Sequence, residues 1–182
     1  MVYALDPAND GALIWEQRAG SGGTMGGIHY GMSASAEKLF VGVSDLPTNN
    51  PYNIGPAHPG IHALSLSTGE VLWRNDLPNQ CEEGPFLCWP GISAAVSSTT
   101  DLVFAGGLDG ILRAFDTDDG SILWETNTRQ SFGLRNGIQA TGGSIESDGP
   151  VIVNGQVFIT SGYEKWGEAP GNVVLVYSLN GE

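Results

Sequence analysis

Hydrophobic positions along this chain fall in short runs rich in β-branched and aromatic residues, such as Ile61 to Leu64, Ile111 to Phe115 and Val157 to Ile159, set between polar, glycine-bearing turns. Their length and composition are those expected of strands, and no stretch shows the 3.6-residue period of a helix. Turn dipeptides separate the runs: Asp109-Gly110 precedes Ile111, and Asn154-Gly155 joins Val151-Ile152-Val153 to Gln156-Val157-Phe158-Ile159. Such pairs favour the positive φ angles of tight hairpins. One hairpin recurs: Val2-Tyr3-Ala4-Leu5-Asp6 is echoed by Ile61-His62-Ala63-Leu64-Ser65 and by Leu112-Arg113-Ala114-Phe115-Asp116. In each copy Trp follows a turn glycine by four residues: Gly11 and Trp15, Gly69 and Trp73, Gly120 and Trp124. A fourth copy runs from Leu175 to Gly181.

The residues before the turn, Leu5, Leu64 and Phe115, are 59 and 51 apart. A period of 50 to 60 residues with strand content predicts propeller blades, each a four-stranded antiparallel sheet. The fold class read here is all-β, a β-propeller of about three and a half blades. Its expected divisions are an outer half blade over 1–16, blades over 28–74 and 91–125, and an incomplete blade over 138–182. The strand count leads to the expectation that the chain is an arc of a larger propeller; a four-blade ring sharing one blade between its termini is the alternative. Trp15, Trp73 and Trp124 share one blade position and are read as packing between blades.

Within each blade the first-to-second and third-to-fourth strand connections are tight, whereas those over 16–28, 45–60, 75–91, 126–139 and 161–172 are long. One face of the arc therefore carries most of the irregular chain, where binding and catalysis are expected. Glycine supplies 27 of 182 residues, consistent with many turns. Seven Lys and Arg against 20 Asp and Glu give a net charge of −13. That argues against phosphate-backbone binding, so nucleic acid is not an expected partner, and an anionic membrane surface is disfavoured. No apolar run approaches the length of a membrane span. An open arc would expose blade faces, so self-association is expected.

Cys81 and Cys88 close a loop rich in Pro and Gly, and they are the only two cysteines. A disulfide is the expected pairing in an exported protein, stabilising by about 2–3 kcal/mol on the chain-entropy model. His58 and His62 lie four apart across a loop and a strand, a spacing that makes a metal pair only on a helix. His62 occupies the blade position of Tyr3 and Arg113 and is read as structural. The run from Asp116 to Gly120 lacks the glycine position and the twelfth-position Glu of an EF-hand, and is read as a hairpin turn.

The Ala-Leu-Asp…Gly…Trp hairpin resembles the repeat of pyrroloquinoline quinone (PQQ) dehydrogenases and their non-enzymatic relatives. Longer segments resemble the C-terminal part of polyvinyl alcohol dehydrogenases: Gly22 to Met32, Leu108 to Asp116, Asn136 to Ser144, and Ser161-Gly162-Tyr163 with Pro170 to Val173. The resemblance implies a periplasmic or secreted quinoprotein that oxidises secondary or polymeric alcohols. It implies PQQ and Ca²⁺ as cofactors and a cytochrome c as electron acceptor. It equally admits a non-catalytic propeller that scaffolds outer-membrane protein assembly. In the enzymes it resembles, a carboxylate removes the hydroxyl proton, a cation polarises the quinone, and Arg or Lys meets the cofactor carboxylates. On the loop-rich face the candidates are Glu164 as catalytic base, with Arg135, Asn136, His29, Tyr30, Tyr163 and Gly143 as cofactor contacts.

Overall fold

The computed structural model describes the chain except residues 24, 48, 49, 82, 83, 85, 134–136, 164 and 180–182. Among the described residues there is no helix, and so none long and apolar enough to cross a membrane. Strands β1 (Val2–Asp6) and β2 (Ala12–Gln17) form the first hairpin. A four-stranded antiparallel sheet follows, made of β3 (Met32–Ala34), β4 (Lys38–Val43), β5 (Gly60–Ser65) and β6 (Val71–Asp76) in that order. The next sheet has the same order: β7 (Ser97–Ser98), β8 (Leu102–Gly106), β9 (Ile111–Asp116) and β10 (Ile122–Asn127). A short hairpin, β11 (Ser131–Gly133) and β12 (Gln139–Thr141), precedes a three-stranded sheet of β13 (Val151–Val153), β14 (Gln156–Ser161) and β15 (Val173–Ser178). The fold is a partial β-propeller.

The recurring hairpin carries a feature that its spacing does not announce. Ala4, Ala63 and Ala114 face Trp15, Trp73 and Trp124, while the next register pairs are Leu5 with Leu13, Leu64 with Val71 and Phe115 with Ile122. One residue is therefore left over before every Trp. This repeated β-bulge twists the outer strand and aims the indole at the neighbouring blade. Trp15 donates its Nε1–H to the Leu66 carbonyl at 2.9 Å and Trp73 to that of Thr117 at 3.1 Å. Each ring covers the next blade's turn glycine: a Cβ on Gly69 would stand 2.6 Å from Trp15, and one on Gly120 2.5 Å from Trp73. Trp124 meets Tyr177 edge-on, with centroids 5.2 Å apart. These indoles are packing between blades, as their spacing implied.

The largest core cluster lies between the two complete sheets and joins Phe40, Ile61 and Leu77 to Ile92, Val96, Val103 and Phe115. Lys38 ties the same pair of blades from outside, donating to the Thr117 carbonyl and meeting Asp118 at 2.7 Å.

Two expectations are corrected. The blade expected over 91–125 opens on a much reduced first strand, in which only Ser97–Ser98 pairs regularly within its own sheet. Nearer the axis this segment bonds to two blades: Ile92 N–H donates to the Val43 carbonyl and Gly91 accepts from Leu108. The stretch over 126–139 was expected to be an irregular loop, but it enters β11, which pairs with β12.

His62 is fully buried, and neither of its ring nitrogens has a hydrogen-bond partner among the described residues. Burial lowers its pKa to about 4, assisted by Arg74 and His58 and opposed by Asp76. The ring is thus neutral at pH 7, and its 3.4 Å approach to Asp76 is not an ion pair.

Because the folded pKa lies below the unfolded value, the unfolded chain binds the extra proton. Stability present above pH 6.5 should be lost as pH falls toward 4, by up to about 3 kcal/mol. Chemical denaturation across this range should show that slope, and His62→Gln should flatten it. A second pair of variants isolates the seam. Gly11 and Gly120 share a φ of +75°, but nothing lies within 4 Å of a Cβ placed on Gly11. Gly11→Ala should cost about 1 kcal/mol through backbone strain alone, and Gly120→Ala about 3 kcal/mol once the indole clash is added.

Candidate functional site

The site is built from three inner segments that run beside the axis. Gly27 accepts from Ser44 N–H, Gly91 from Leu108 and Ser144 from Gly162, which aligns the three segments residue by residue. Two positions further on, the same slot holds His29, Ser93 and Glu146 in successive blades. These side chains touch: His29 Nδ1 lies 2.8 Å from Ser93 Oγ, and Ser93 Oγ donates to Glu146 Oε1 over a longer 3.4 Å. Ser93 is buried, whereas the His29 ring is exposed toward a cavity of about 610 Å³. Met25, Tyr30, Leu87, Trp89, Trp166 and Glu168 complete much of its lining.

Two long loops meet over this cavity. Cys81 and Cys88 form the expected disulfide, their Cα atoms 5.7 Å apart. The loop they close presents Leu87, whose N–H donates to the Gly167 carbonyl at 2.8 Å and which makes a parallel bridge to Glu168. Trp89 is buried beneath and donates its Nε1–H to the Ser44 carbonyl. From the opposite side, the segment carrying Ala169 is held by Ser144, which donates from its hydroxyl to the Leu108 carbonyl and accepts from Ala169 N–H. Glu168 is 2% exposed, and one of its oxygens accepts from Trp166 N–H.

A fully buried carboxylate fixes the entry to the site. Asp45 accepts the N–H groups of Ser21 at 2.6 Å, Gly27 at 2.8 Å and His58 at 2.9 Å, joining two loops to the end of β4. Asp109 follows Leu108 as Asp45 follows Ser44, and it too is buried, meeting Arg113 through two guanidinium nitrogens. Such carboxylates are stable in the interior because each of their oxygens faces at least one donor.

The sequence candidates separate under this geometry. His29 and Tyr30 both line the cavity. The Tyr30 phenol is pushed above its usual range, first by burial and then by the charges of Glu146 and Glu168, so it remains a hydrogen-bond donor at neutral pH. Tyr163 is 56% exposed and is not among the lining residues. Gly143 is buried where a Cβ would meet the Ala169 carbonyl oxygen at 2.0 Å, so its lack of a side chain admits the 162–171 loop. Glu164, Arg135 and Asn136 lie outside the described residues. Ser93, Glu146, Glu168 and Trp89 were not singled out from the sequence. Aligning the inner segments by blade position, instead of by residue identity, would have found Ser93 and Glu146.

The family model for the PQQ repeat, described as outer membrane protein assembly factor BamB, matches residues 1–141. The chain belongs to this PQQ-repeat family. A polyvinylalcohol dehydrogenase of a Pseudomonas species is 39% identical over the whole chain, and that of Sphingopyxis sp. strain 113P3 is 37% identical, also over the whole chain. The PQQ-repeat chain spans only 29% of the length of each of these relatives. The crystal structure of BamB from Moraxella catarrhalis superposes with a TM-score of 0.61 at 18% identity, covering 99% of this chain and 44% of that one. This last likeness establishes the shared propeller fold.

Replacing Asp45 with Ala should leave three N–H groups, two of them buried, without acceptors and lower unfolding free energy by about 3 kcal/mol. Hydrogen exchange at the amides of Ser21, Gly27 and His58 should accelerate together, ahead of amides in β5.

Proposed function

We propose that this chain forms part of a PQQ-dependent alcohol dehydrogenase that oxidises secondary or polymeric alcohols. The observation carrying this reading is identity of 37–39% along the whole chain with two polyvinylalcohol dehydrogenases. The cavity supports it. Its volume of about 610 Å³ falls in the range of small-molecule sites and suits a fused three-ring cofactor. Trp89 and Trp166 in its lining supply aromatic surface for such a ring, and Tyr30 a donor to its carboxylates. Arg135 and Asn136 remain the proposed partners for those carboxylates, with Tyr163 and Gly143 as further proposed contacts. When bound, the quinone supplies the two-electron acceptor for the alcohol carbon.

The accompanying Ca²⁺ finds less support in this chain. Among the described residues no group of three or more His, Cys, Asp or Glu side chains surrounds a common point. No calcium ligand set is therefore assigned to it. A periplasmic or secreted location and electron delivery to a cytochrome c belong to the same proposal. Self-association of the isolated chain is also proposed, on the exposed apolar residues Tyr3, Leu5, Leu13 and Ile14 of one end sheet and Val151 and Val174 of the other.

A second reading, a protein-binding scaffold without cofactor, is favoured by the family model's own description and by the BamB likeness. Tryptophan fluorescence titrated with PQQ, with and without Ca²⁺, separates the two. Saturable quenching is the expected result. Trp166→Ala, at a residue 66% exposed, should weaken quinone binding about tenfold without disturbing the fold. Full-length protein that shows no quenching would establish the scaffold reading instead.

A further inference from the structure

We propose that His29 accepts the proton of the substrate hydroxyl, held in its basic tautomer by Ser93 and Glu146. This inference rests on the alcohol-oxidising function above. Its basis is the direction of two hydrogen bonds. A carboxylate only accepts, so the single Ser93 hydroxyl proton points to Glu146, the stronger acceptor of its two neighbours. Ser93 Oγ can then only accept from His29, which places the hydrogen of the neutral imidazole on Nδ1. The lone pair therefore sits on Nε2, on the other side of the ring from the Ser93 wall. Nε2 has no partner among the described residues, and the ring lines the cavity.

The other titratable groups of the lining are less suited to the task. The Tyr30 phenol holds its proton more tightly than usual, because of its burial and the nearby carboxylates. Glu168 is buried and already accepts from Trp166 N–H, and Glu146 is occupied by the Ser93 hydroxyl.

In the proposed step the substrate O–H bond breaks and an Nε2–H bond forms, producing an imidazolium. The carbinol hydrogen leaves with its electron pair to an ortho-quinone oxidant, so the alcohol becomes a carbonyl. Glu146 balances the new positive charge through Ser93, and the exposed ring can then release its proton to solvent. His29 would be a catalytic residue; Ser93 and Glu146 are positioning residues.

The test uses the full-length protein labelled with ¹⁵N at histidine. The His29 signals, assigned by their loss in His29→Gln, should show a protonated Nδ1 and a pyridine-like Nε2. Ser93→Ala should abolish that preference. In His29→Gln, alcohol turnover should fall about 100-fold or more, while the quinone dissociation constant, read by fluorescence, shifts by less than about tenfold. A wild-type ring protonated on Nε2, or a tautomer unchanged by Ser93→Ala, would overturn the proposal. So would wild-type turnover in a folded, quinone-binding His29→Gln variant. A wild-type protein that binds no quinone would overturn the functional reading itself, and this proposal with it.

Discussion

Two of the blade seams depend on an indole laid over the next blade's turn glycine. A sheet with one apolar face cannot bury it alone, so a blade is stable only against its neighbours. Trp15 and Trp73 satisfy that need in one gesture: the ring supplies apolar area, and its N–H satisfies a carbonyl in the turn it covers. The bulge before each Trp sets the aim, and the bare glycine sets the distance. Because the same geometry recurs from blade to blade, the inner segments reach the axis in register. His29, Ser93 and Glu146 meet for that reason, although long stretches of sequence separate them.

The second constraint is solvation of the loop-rich face. Long connections carry backbone N–H groups that cannot all reach water, and unpaired buried donors are costly. Asp45 gathers three of them on one carboxylate. Asp109 uses the equivalent position to hold Arg113 instead. One backbone slot thus serves loop anchoring in one blade and a buried ion pair in the next.

Much of this architecture was legible in the sequence because it is written in residues that only one geometry explains. Gly and Trp four apart marked the hairpins, and Asn154-Gly155 marked a turn whose two residues do have positive φ. The two cysteines marked a closed loop that is present. The bulges were not legible, since they alter register without altering composition. The shortened β7 was missed because its backbone partners belong to two different blades, which no local pattern records. The cavity was half legible. His29 and Tyr30 stood out by residue type, but Ser93 and Glu146 share a blade position with His29 and no chemistry, so a search for recurring residues passes over them.

The bond from Leu87 to Gly167 has a further meaning for how the molecule assembles. Nearly every strand pairing here joins chain neighbours, so hairpins and blades can form from local contacts with little loop-closure entropy. The Leu87 contact instead joins segments 80 residues apart, as the Lys38–Asp118 pair does. It can form only after the blades carrying those segments have docked. Opening of this bond would uncover the cavity while the walls beneath it stay assembled. Access to the interior can then be governed by a local equilibrium that leaves the blade stack untouched.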